Sequence, residues 1–114
     1  MAKVGRFVLD PKAGAYCQIV LDSGEKITVN HDKGGFKGGH VTIEAPKWMG
    51  ISSDRIFECD LDVPAGKAAL ARLTQGAPPE SARATPLGAF VEVLKDCKSI
   101  DEVKTACAAI VSGH

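Results

Sequence analysis

With 114 residues, 45% of them hydrophobic and 25% charged, the chain has the make-up of one ordinary globular domain, which excludes wholesale disorder. Fourteen Lys and Arg offset fourteen Asp and Glu, so the net charge is zero. A dedicated nucleic-acid binder normally carries a basic excess, which makes nucleic acid an unfavoured partner, and a neutral chain offers little self-repulsion against association.

In chain order, Val4 to Leu9 reads as a strand ended by Asp10-Pro11, and Tyr16 to Leu21 as a second. Asp22-Ser23-Gly24-Glu25 is a tight hairpin turn, with Gly24 supplying positive φ, and Lys26 to Asn30 returns with Ile27 and Val29 on one face. A glycine-rich loop, Lys33 to Gly39, leads into the alternating strand His40 to Glu44, which Ala45-Pro46 ends. Arg55 to Val63 is the fifth strand, with Phe57, Cys59 and Leu61 on one face and Glu58, Asp60 and Asp62 on the other. Strands this close together have no room for parallel crossovers, so they pair antiparallel. Such a set curls into a small barrel or a strongly twisted sheet, SH3-like or OB-like, whose strand order the sequence does not reveal.

After Pro64 the period changes. Residues 65 to 73 form a short Ala-rich helix, its start weakened by Gly66, and residues 74 to 86, with Gly76, Pro78, Pro79 and Pro86, form an exposed loop or linker. Thr85 is an N-cap with Pro86 at the first helical position, followed by the stripe Leu87, Phe90, Val91 and Leu94. Ser99 and Glu102 form a capping-box pattern for a last helix with Ile100, Val103, Cys107, Ile110 and Val111 on one side and Gly113 as its stop. The expected whole is one α+β domain: a strand-rich part (1–63), a short helix (64–73), the Pro-rich loop (74–86) and a helical hairpin (87–113). The hairpin cannot bury both stripes alone. It packs on the strand half, the favoured arrangement, or on a second copy.

No run of roughly 18 apolar residues is present to span a membrane. No apolar signal core follows Lys3 and Arg6 before Asp10 and Lys12 intervene, so cytoplasm is the expected location. None of the four cysteines lies in a C-x-x-C pair, which removes zinc-ribbon and thioredoxin readings. Cys17 and Cys59 lie on apolar faces that meet if their strands adjoin, and are expected to be buried free thiols. Cys97 and Cys107 stand on the order of 12 Å apart along the helix rise, too far for a disulfide.

The loop Lys33 to His40 offers exposed backbone N–H groups, the cations Lys33 and Lys37, the imidazole of His40 and a stackable Phe36, the ingredients of a phosphate, nucleotide or single-strand RNA site. It has neither a Walker nor a Rossmann pattern. Metal binding by His31, Asp32 and His40 requires the two imidazoles to meet across the loop, and the spacing is not diagnostic, so no metal or cofactor is expected. Asp54, Glu58, Asp60 and Asp62 make an acidic edge, read as a solvated face that repels other strands. Trp48, in an apolar loop segment, either contacts a partner or caps the barrel. No nucleophile stands beside a base, and no Gly-x-Ser-x-Gly or His-Glu-x-x-His occurs, so enzymatic activity is not expected. The layout is similar to that of cyclic-dinucleotide-binding PilZ domains, but their Arg-x-x-x-Arg motif is missing, with Arg6 and Arg55 isolated, and no family is assigned. The expectation is a non-catalytic protein-interaction or assembly module, self-association included, with Trp48, Leu87, Phe90, Val91 and Leu94 as its surface. The alternative is a binder of a phosphorylated ligand or RNA through Lys33, Phe36, Lys37 and His40.

Overall fold

Six strands follow one another before any helix: β1 (Lys3–Val4), β2 (Val8–Asp10), β3 (Gly14–Val20), β4 (Lys26–Asp32), β5 (His40–Lys47) and β6 (Ser52–Asp60). The computed structural model describes residues 2–10, 14–32, 39–47 and 52–112. Lys33, Phe36, Lys37, Trp48 and Gly113, singled out above, lie outside the described residues. All pairings are antiparallel and the order is β1-β3-β4-β5-β6, with β2 also on β3. Among the described residues β6 pairs only with β5, so the sheet is open, with β1–β2 at one edge and β6 at the other.

The expected first strand is split. Val4 pairs with Ile19 and Val8 with Tyr16, so four steps along one strand oppose three along the other. One extra residue is accommodated after Gly5, as in a β-bulge. Gly5 fits because its N–H reaches the Gln18 carbonyl at 2.8 Å, and a Cβ there would meet that same oxygen. A second bulge lies between β5 and β6, where Ile43 and Glu44 oppose Phe57 and Arg55, which leaves Ile56 as the extra residue and lets both Ile56 and Phe57 pack on the core.

Several strand ends differ from expectation: β3 spans Gly14–Val20, β4 runs on to Asp32 and β6 begins at Ser52, and two further ends differ for local reasons. β5 continues through Pro46 to Lys47. The Leu61 N–H bonds to Gly39 O, so odd residues of β5 bond toward β6 and even ones toward β4, whose paired part ends at Thr28; the missing N–H of Pro46 therefore costs no ladder bond. β6 stops at Asp60, not Val63, because Asp60 Oδ1 accepts the Asp62 N–H at 2.8 Å and turns the chain. The 22–25 hairpin forms as expected: Leu21 N–H donates to Glu25 O, and Gly24 has φ 90°.

α1 (Pro64–Thr74), a 3₁₀ turn at Ala82–Ala84, α2 (Pro86–Leu94) and α3 (Ile100–Ser112) complete the chain. Thr85 Oγ1 accepts the Gly88 N–H at 3.1 Å and caps α2, behind Pro86. Ser99 Oγ accepts from Glu102 N–H at 3.4 Å while Glu102 Oε2 accepts from Lys98 N–H at 2.6 Å, a reciprocal cap displaced by one residue from the ideal box.

One core cluster joins the inner sheet face (Cys17, Ile19, Ile27, Val29, Val41, Ile43, Cys59, Leu61) to the helices. α2 packs on β3, β4 and α1, and α3 on β6, α1 and α2. Leu87, Phe90, Val91 and Leu94 are therefore buried within the chain itself, which corrects their reading as an interaction surface. Burying four such side chains stabilises the fold by roughly 6–12 kcal/mol before entropy, so the sheet offers the stripe a complete partner in cis.

Candidate functional site

The sheet has one buried face and one polar face, and each proposed group falls according to the period of two. His31 pairs with Val41, whereas His40 pairs with Asp32. His31 therefore points to the core side, 8% exposed, while His40 points to the polar side. The two imidazoles are on opposite faces, and no group of three His, Cys, Asp or Glu among the described residues is arranged to hold a metal. Gly39 explains the placement of His31: with φ 88°, it lies so close to the imidazole that a Cβ would collide with Nε2.

On the polar face a depression of about 480 Å³ is lined by Tyr16, Asn30, Asp32, His40, Thr42, Glu44 and Arg55, among others. His40 Nε2 stands 2.6 Å from Glu58 Oε1, and Arg55 donates to Glu58 Oε2 at 3.2 Å. His40 has Asp32 and Asp60 as its cross-strand neighbours. This surroundings of carboxylates opposes an anion at His40. Asp54, Glu58 and Asp60 lie on β6, an edge strand among the described residues, while Asp62 lies past its end.

The thiols are chemically quiet. All four cysteines are free and buried. Cys17 and Cys59 are separated by β4 and β5, so they do not face each other. Burial raises the pKa of Cys17, whose Sγ donates to Gly5 O at 3.3 Å, and of Cys59 and Cys97. Cys107 is pushed up to about 12, first by burial and then by neighbouring Cys97 and Cys59. Thiols held neutral are poor nucleophiles and poor metal ligands.

The feature that the sequence reading missed is the β1–β2 edge. Leu9 is 78% exposed and Val4 40% exposed, in a chain whose other strand aliphatics are mostly inside. In an antiparallel ladder alternate residues bond to the partner and the rest direct N–H and C=O outward. Gly5 bonds to Gln18, so Val4, one residue earlier, directs its backbone away from β3. Along β3 the same phase recurs at Tyr16 and Gly14, which hold Val8 and Asp10, so Leu9 between them also faces out. At the opposite edge, Leu61 N–H bonds to Gly39 O; the phase makes Phe57 and Cys59 bond inward and Glu58 outward. Comparison with known proteins gives no matching family model, no similar curated protein and no similar solved structure.

Proposed function

We propose that the chain is a non-catalytic protein-interaction or assembly module that engages its partner by strand addition at the β1–β2 edge. The observation that carries this reading is the edge itself, unpaired among the described residues, with Val4 and Leu9 offering outward backbone groups beside exposed aliphatic side chains. An edge of this kind is the template that strand-adding partners use, main-chain bonds giving affinity and alternate side chains specificity. The apolar stripe of α2 is consumed in the core, which turns attention from the helices to the sheet edge.

The test is purification of the tagged chain, native and Leu9→Lys, from the cells it comes from, with the mass of each preparation measured by light scattering. The reading requires the native chain to carry a stoichiometric companion or further copies of itself, and Leu9→Lys to lose them. A monomeric native chain without a companion contradicts it, as does a companion that Leu9→Lys retains in full.

The alternative reading, a phosphorylated ligand or RNA held by Lys33, Phe36, Lys37 and His40, has only His40 among the described residues, and the carboxylates of Asp32, Glu58 and Asp60 around that residue weigh against it. Amide shifts confined to residues 33–40 on adding nucleotides would reverse that judgement.

A further inference from the structure

The two open edges differ in charge. Over residues 2–10 the first edge carries the exposed cations Lys3 and Arg6 against one carboxylate, that of Asp10, and is net basic. The last strand, β6, carries Asp54, Glu58 and Asp60 against Arg55. Pairing β6 with a copy of itself sets like charges opposite one another, which disfavours it; pairing it with the net basic first edge sets opposite charges together. Both edges also present outward backbone groups, at Val4 and Leu9 on one side and at Glu58 on the other, so each supplies the bonds the other lacks. The zero net charge of the chain adds no general repulsion.

From this we infer that the partner at the β1–β2 edge is the β6 edge of a second copy of the same chain, giving a head-to-tail sheet that runs from molecule to molecule. The inference rests on the interaction reading above and specifies its partner. A contact of this type uses two different surfaces, so it is heterologous: it closes into a ring when the rotation between copies allows and otherwise grows as a filament. Its charge component weakens with salt, because at about 0.15 M the screening length is roughly 8 Å.

A heterologous contact has a signature that a two-fold dimer lacks. Leu9→Pro removes an outward N–H and the exposed leucine from the first edge without removing a bond to β3, and Glu58→Pro does the corresponding thing on β6. Sedimentation velocity is measured on the native chain, on each variant alone and on an equimolar mixture. The expected result is native chain whose mass rises with concentration at low salt and falls at high salt, two variants that are each monomeric, and a mixture that forms a one-to-one dimer and grows no further. Should a proline variant lose its folded amide spectrum, Lys3→Glu with Arg6→Glu replaces the first and Glu58→Lys the second; each alone is then monomeric and the mixture again associates. A native dimer abolished by one class of variant and untouched by the other overturns the inference, as does a mixture that stays monomeric beside an assembling native chain. A native chain that is monomeric alone but holds a different protein in a Leu9-dependent way overturns self-assembly and leaves the interaction reading standing. A monomer with no companion overturns both.

Discussion

Gly66 stands near the start of α1, where helix propensity alone favours alanine by roughly 0.5–1 kcal/mol. The fold reverses that preference: a Cβ at Gly66 would lie 1.9 Å from the Asp60 carbonyl oxygen. Gly66→Ala is therefore expected to destabilise the chain by about 1–3 kcal/mol, the usual cost of overpacking, read from the urea midpoint. What the sequence presents as a weak helix start is the contact that lets α1 approach the end of β6. The thiols carry a second expectation at this scale. Because Cys107 moves from 9.0 in the unfolded chain to about 12 in the fold, the unfolded chain alone gains from ionisation above 9.0. Stability is complete below that pH and falls as pH rises toward about 12. At pH 10 the loss is about 1.4 kcal/mol for such a thiol, and Cys107→Ala should remove that share of the pH dependence. At pH 8 a disulfide-exchange reagent is expected to label the four cysteines only after denaturant is added.

At the scale of elements, the helices were the most legible part of the chain. The Thr85-Pro86 start and the Ser99/Glu102 cap rest on neighbouring residues, so spacing was enough to find them. Thr85→Ala is expected to cost about 1 kcal/mol and Phe90→Ala about 3–5 kcal/mol, the first losing a cap and the second a fully buried ring that sits 6.1 Å from Phe57. Thermal unfolding of the two variants checks the contrast. The hairpin turn at 22–25 was equally legible, since Gly24 alone can take its backbone shape without strain. The strand ends were not: the bulges after Gly5 and at Ile56 depend on the register of a neighbouring strand, and the stop at Asp60 depends on a side chain folding back on the backbone. Arg72, whose side chain donates to the Ile110 carbonyl at 2.5 Å and ties α1 to the end of α3, could not be singled out because its partner lies 38 residues away in the sequence.

For the whole molecule, the decisive fact is strand order, which no local pattern encodes. Leu9 looks in the sequence like any core aliphatic, and only its position at the end of the order exposes it. Conversely, Leu87, Phe90, Val91 and Leu94 look like a surface in need of a partner, and the sheet itself covers them. The Cα radius of gyration, 13.3 Å, equals what a compact chain of this length has, which leaves no room for helices held away from the sheet. An open sheet with a basic edge and an acidic edge is then the property from which the proposed assembly follows. The most direct test is amide hydrogen exchange followed residue by residue in dilute and in concentrated low-salt samples. Val4, Leu9 and Glu58 should exchange fast when dilute and become protected together when concentrated, while Gly5, bonded to Gln18, stays protected throughout. Fast exchange at those three amides at both concentrations would contradict the claim that these edges are the assembly surface.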